Sequence, residues 1–254
     1  MSLTRLVLRF AAPVPKIESF DRYLFIGPHP DDIEIGAGAT AAKLAAMGKT
    51  VCFLVCTDGR FGEGNVPETG DALAALRQRE AIASAKVLGV TDVRFLGFSD
   101  GGFYNPGDLT SEVAKVIGDF RPDMVFAPDP CVSAEGHADH LNVGEAVRRL
   151  LVFTSHGGIM GKLGASRARV KAAAFYMTAK VNQYVGTRGY LGKQLEAIFS
   201  CHTSQFPAGN ADGKRIAMYI KLRAIDFGIR SFKGCAEGFR VLGQVHMHCL
   251  PEAK

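Results

Sequence analysis

No stretch of the 254-residue chain reaches the ~18–20 uninterrupted apolar residues that a membrane-spanning helix needs. Nor is there a polybasic block. The 30 basic and 25 acidic residues leave a formal net charge of +5, spread along the chain, so neither nucleic acid nor a membrane surface is indicated as a partner. None of the six cysteines (Cys52, Cys56, Cys131, Cys201, Cys235 and Cys249) forms a CxxC pair. A chain of this size with 47% hydrophobic residues needs no disulfide staples, so reduced, buried thiols are expected. There is no internal repeat, no low-complexity tract and no clear linker. The parts of a secretory signal are also missing, because Arg5 and Arg9 interrupt the first apolar run and no cleavage pattern follows. These absences point to a cytoplasmic globular protein.

The N-terminal half alternates between two kinds of segment. Residues 23–26, 50–56, 92–96 and 124–127 are short continuous apolar runs bounded by Gly, Pro and Asp, as strands buried on both faces require. Helical patterns lie between them. Residues 37–47 are alanine-rich and stop at Gly48. Residues 71–88 carry Leu73, Leu76, Ala81, Ile82, Ala85 and Leu88 at helical spacing, and residues 109–120 carry Val113, Val116, Ile117 and Phe120. Strand–helix repeats at this interval predict βαβ units and an α/β fold, with a Rossmann-like, mostly parallel sheet flanked by helices. Further on, strands are expected at 172–177 and 239–242 and helices at 191–199 and 213–227. Residues 1–254 read as a single domain, its core at about 20–245 and its C-terminal part elaborating the α/β unit.

Polar residues cluster where strands end, which is where open α/β sheets bind ligands. After the first strand comes Gly27-Pro-His29-Pro-Asp31-Asp32-Ile-Glu34-Ile-Gly36. After the fourth come Asp129 and then His137-Ala-Asp139-His140. His29 with Asp32, and His137 with His140, stand three apart, so each pair points one way in a first helical turn. Either segment alone reads equally well as a helix cap and a turn, with Asp32 capping the helix that follows. Together, behind two predicted strands, they favour a metal site. Two imidazoles and a carboxylate are a common ligand set for catalytic zinc, and further carboxylates are needed to orient imidazoles and move protons.

His29-Pro-Asp31-Asp32 with Glu34 and Gly36 resembles the HPDD signature of the PIG-L/LmbE-like zinc-dependent N-acetylglucosaminyl deacetylases. His137-Ala-Asp139-His140 resembles that family's second motif. Thr57-Asp-Gly59 with Gly62, Arg79-Glu80-Ala81, Phe95-Leu-Gly97 with Asp100-Gly101-Gly102, Arg121-Pro-Asp123, His202-Thr-Ser-Gln-Phe206 and Ala236-Glu-Gly-Phe-Arg240 extend the likeness over residues 22–245. The resemblance implies zinc held by His29, Asp32 and His140, Asp31 as general base, His137 stabilising the oxyanion in cationic form, and Asp139 orienting it. It also implies a small amino-sugar substrate whose N-acyl group is hydrolysed, and relatives that assemble as homo-oligomers. His₂Asp suits other divalent ions, Fe2+ among them. Arg60, Tyr104 and His202 are candidate substrate-binding residues, and Phe61 and Phe103 lie on the same strand-end loops. The chain departs from the pattern at Pro28, Ile33 and Ala138, and at Arg60, where relatives often carry Glu.

Two other readings compete. Gly36-Ala-Gly38-Ala-Thr-Ala41, with Asp58 about twenty residues on, approaches a dinucleotide-binding fingerprint. The nine residues between the first strand and Gly36 argue against it, because the first glycine should follow the strand directly. The other reading is a catalytically inactive binding relative, and the full set of acids and imidazoles argues against decay.

Overall fold

The computed structural model describes residues 7, 8 and 10–248. Arg5, Arg9 and Cys249 lie outside them. Seven strands form one sheet, β1 (Arg22–Gly27), β2 (Thr50–Thr57), β3 (Asp92–Phe98), β4 (Met124–Pro128), β5 (Ala172–Tyr176), β6 (Gln183–Gly186) and β7 (Ala236–Gly243), in the order β3-β2-β1-β4-β5-β7-β6. The first five are parallel, while β7 runs antiparallel to both β5 and β6. The helices are α1 (Asp32–Ala46), α2 (Gly70–Val87), α3 (Pro106–Phe120), α4 (Ala138–Phe153), α5 (Gly157–Lys162), α6 (Leu191–Glu196), α7 (Ala211–Ser231) and α8 (Gln244–Met247). A π-helical turn at Ala197–Cys201 extends α6. The expected α/β class and mostly parallel sheet are those observed.

The strand pleat divides the apolar residues between two layers. Tyr23, Phe25, Phe53, Met124, Phe126 and Phe239 pack with α1 and the end of α2. Leu24, Ile26, Leu54, Val125 and Phe175 pack with α3 and α4 on the opposite face. β3 was expected to be buried on both faces. It is the sheet edge, and its residues are half-buried except Gly97, which is exposed. Cys52 and Cys56 are buried thiols as expected, but Cys131 is exposed and Cys201 and Cys235 are partly so.

The chain winds from β1 outward through β2 to β3, then returns to place β4 on the other side of β1. The carboxyl ends of β1 and β4 therefore flank the point where strand order reverses, the crevice in which such sheets bind ligands. α1 begins at Asp32, five residues before the helix read from the sequence, and breaks at Ala37 (φ −152°, ψ 15°). Its second half restarts like a new helix: the amides of Ala39 and Thr40 donate to the Glu237 carboxylate at 3.2 and 2.7 Å. An added Cβ on Gly36 would run into the Tyr176 ring, and one on Gly38 would sit 3.1 Å from Gln194. These glycines pack the helix onto the sheet.

Candidate metal centre

The loop after β1 and the first turn of α4 bring the two motifs together. Asp32 is the hub. Its Oδ2 accepts the His29 backbone amide at 2.9 Å and lies 3.0 Å from His29 Nδ1 and 3.4 Å from His140 Nε2. His29, Asp32 and His140 each offer a ligand atom, all within 4.8 Å of one another, and His29, His137 and Asp139 do the same. The ligand chemistry fits a divalent ion: an ionised carboxylate between two imidazoles, nearly buried. Burial opposes ionisation of Asp32, but His140 and His29 outweigh it and hold the carboxyl below its usual range. In His29 burial disfavours the charge, yet the hydrogen bonds with Asp139 and Asp32 carry its pKa up to about 10. A bound cation would replace that proton, so the same electrostatics favour metal.

Asp139 is fully buried, and its partners differ from those expected. Its Oδ2 lies 2.9 Å from His29 Nε2 and accepts the Gly101 amide at 2.7 Å, while Oδ1 accepts the Gly102 amide at 2.8 Å. Both glycines have φ of +79°, which side-chain-bearing residues rarely adopt, and this aims two successive amides at one carboxylate. Burial raises the Asp139 pKa, but these bonds prevail and bring it down to about 2. His137 Nδ1 is 3.8 Å from that carboxylate and instead accepts the Asp139 amide at 3.3 Å. Asp139 thus lies closer to His29 than to His137. Burial and the positive neighbours His29 and His140 lower the His137 pKa, against the cationic form expected. With Nδ1 accepting, Nε2 carries the proton, and the half-exposed ring can donate into the cleft.

Asp31 caps α1 with φ of 126°, a strained backbone for a non-glycine residue. Burial pushes its pKa up to about 6, against the pull of Arg77. Arg77 Nη2 stands 3.4 Å from Asp31 Oδ2 and donates to Pro30 O at 2.9 Å, while Nη1 donates to Gly59 O at 3.1 Å. Sequence reasoning missed Arg77. Its signal was a charged residue on the core-facing register of α2, four after Leu73 and four before Ala81. Glu135 was also missed; its carboxylate lies 3.3 Å from His140 Nδ1.

The three substrate-binding candidates separate. Tyr104 is half-buried beside the centre, its hydroxyl 3.4 Å from Asn142 Nδ2. Arg60 pairs with Asp58 at 2.6 Å and Asp71 at 3.0 Å, so its charge is largely compensated. His202 has no exposure and lies behind the site, its Nε2 3.3 Å from Glu34 Oε1, which also accepts the Ser84 hydroxyl. It does not line the cleft, because the chain after the π-helical turn tucks it beneath α1 and α2. Phe61 and Phe103 are exposed and meet edge to face at 5.9 Å.

A convergent His₂Asp centre with an extra carboxylate, at the switch point of a Rossmann-like sheet, defines a metal-dependent hydrolase class. The model of the PIG-L family, described as GlcNAc-PI de-N-acetylase, matches residues 24–151. The diacetylchitobiose deacetylase of Thermococcus kodakarensis is 32% identical over 235 residues, 91% of this chain and 87% of that protein. The 1D-myo-inositol 2-acetamido-2-deoxy-alpha-D-glucopyranoside deacetylase of Kineococcus radiotolerans is 33% identical over 185 residues, 61% of this chain and 51% of its own. The structure of the N,N'-diacetylchitobiose deacetylase from Pyrococcus horikoshii superposes with a TM-score of 0.87 at 28% identity, covering 99% of this chain and 97% of that one. The chain belongs to the PIG-L family. With the family comes the reaction class, hydrolysis of an N-acetyl amide bond. Among the described residues no helix is long and apolar enough to cross a membrane.

Proposed function

We propose that the protein removes the N-acetyl group of a GlcNAc-type amino sugar or small glycoconjugate, with zinc as the resident ion. The observation that carries this reading is the convergence of His29, Asp32 and His140 beside a second, differently tuned carboxylate, Asp31. His29 Nδ1, Asp32 and His140 Nε2 would hold the ion. When bound, a divalent cation there lowers the pKa of a coordinated water toward ~7 and polarises the amide carbonyl. Asp31, with a pKa of about 6, accepts the proton of the attacking water at neutral pH and can return it to the departing amine. Arg77 positions that carboxylate. His137, neutral and protonated on Nε2, donates to the oxygen that gains charge in the transition state, a contact worth ~3–4 kcal/mol in comparable sites. Asp139 holds His29 in the tautomer that leaves Nδ1 free to bind.

Acetate release from N-acetylglucosamine, diacetylchitobiose and GlcNAc–inositol, against N-acetyl amino acids as controls, tests the substrate class. Release from at least one sugar at rates well above the amino-acid controls is expected. No release from any sugar by the metal-loaded protein would overturn the reading and favour a non-catalytic relative. A stoichiometric bound dinucleotide would do so too.

A further inference from the structure

The two imidazoles that face Asp32 do so through opposite nitrogens. His29 turns Nδ1 to Asp32 and Nε2 to Asp139. His140 turns Nε2 to Asp32, which leaves Nδ1 on the far side of its ring. That Nδ1 is buried and makes no hydrogen bond to any described residue. A buried polar atom left unpaired is costly and calls for an explanation. Glu135 Oε2 stands 3.3 Å away, within reach of the nitrogen though not aligned on it. The other oxygen of the same carboxylate, Oε1, accepts the His137 backbone amide at 2.8 Å. Glu135 is held in turn by its own amide, which donates to Val132 O at 3.1 Å. The carboxylate lies two residues ahead of His137, the N-cap of α4, where the free amides of a first helical turn favour negative charge.

We propose that Glu135 is a positioning residue of the metal centre: it accepts the Nδ1 proton of His140 and so keeps the Nε2 lone pair for the ion. This rests on the reading of His29, Asp32 and His140 as the ligand set. A neutral imidazole carries one proton, and the nitrogen that keeps it cannot bind a metal. Asp32 beside Nε2 would draw that proton to the ligand nitrogen if nothing accepted it at Nδ1. Glu135 draws it to the other side. Hydrogen bonds of this kind are often long or poorly aligned until a ligand is bound. A carboxylate behind a ligating imidazole also makes it a stronger base toward the ion. Asp139 then stands behind His29 and Glu135 behind His140. Because its two oxygens are divided between the His137 amide and the His140 ring, Glu135 also sets the spacing of these two imidazoles. A glutamine could not replace it. With one acceptor oxygen on the His137 amide, its NH₂ would donate to His140 Nδ1 and impose the tautomer that cannot bind. Reversed, the NH₂ would meet the His137 amide head-on.

Zinc affinity of the full chain, measured by competition with a chelator of known affinity, tests it. The assay temperature is one at which melting curves show every metal-free protein folded. Glu135→Gln and Glu135→Ala are each expected to bind zinc about 10- to 100-fold more weakly than the wild type. The isosteric glutamine should weaken binding at least as much as alanine, an order that a packing role would reverse. Glu112→Gln, which removes a carboxylate of α3 paired with Lys115, should bind as the wild type does. Wild-type affinity in Glu135→Gln would overturn the proposal, whether or not alanine weakens binding, because the proton acceptor would then be dispensable. A wild type that binds no zinc would overturn both the proposal and the ligand set on which it rests. No substrate enters the assay, so neither result depends on which sugar is hydrolysed.

Discussion

Replacing Asp139 by Asn separates two accounts of that residue while changing almost nothing in its shape. The carboxylate accepts three donors, Gly101 and His29 on Oδ2 and Gly102 on Oδ1. An asparagine has one acceptor oxygen. If that oxygen serves Gly101 and His29, the new NH₂ meets the Gly102 amide head-on, and a buried unsatisfied donor costs about 1–3 kcal/mol of stability. The bond to His29 also loses its charge assistance. Hydrogen bonds to charged groups contribute about 1.5–3 kcal/mol. At 1.4 kcal/mol per tenfold, much of that lost from the metal-bound imidazole weakens metal affinity about 10- to 100-fold, the usual range for a carboxylate behind a ligating histidine. Competition with a chelator of known affinity measures this, at a temperature where thermal melting shows both proteins folded. Unchanged metal affinity with a lowered kcat would refute the assignment and return Asp139 to His137.

Further outcomes follow from the geometry. Asp31→Ala should retain metal yet lose about 10²-fold or more in turnover, read by metal analysis and acetate release on the same sample; full activity would remove Asp31 as the base. His140→Ala should lose the metal itself, since a two-ligand remnant binds weakly. The base must be deprotonated, so activity should be present above about pH 6 and fall as pH drops through that value. Arg77→Met removes the positive charge that holds the Asp31 pKa down, and should move this acid limb upward; an unmoved limb would separate Arg77 from Asp31. Gly36→Ala forces a methyl into the Tyr176 ring and should cost about 1–3 kcal/mol by thermal melting, whereas a neutral substitution would contradict the packing role of this glycine.

The parts of the molecule legible in the sequence are those determined by local pattern. β1, β2 and β4 are continuous apolar runs because both faces are covered, and Gly or Pro punctuates their ends. β6 escaped notice because Gln183–Gly186 is four residues long, lies at an edge and is mostly half-exposed. The start of α1 was misplaced because Ala37 interrupts it and Glu237, 200 residues distant in sequence, caps the second half from another strand. The two His/Asp motifs could be read because each pairs side chains within one helical turn. Arg77, and the glycine amides that grip Asp139, could not be placed, because their contacts cross 46 and 37 positions and depend on how helices seat on the sheet. His202 shows the limit from the other side: it sits close to the site in space, but on the buried side of Glu34.

If His29, Asp32 and His140 hold one catalytic divalent ion, activity must follow the metal. The most direct test follows acetate release from the best N-acetyl sugar substrate with protein as purified, stripped by chelator, and reloaded with zinc. Activity that falls with the metal and returns at one equivalent of zinc per chain, in the wild type but not in His140→Ala, is the predicted result. A stripped protein that releases acetate at the undiminished rate would contradict the account.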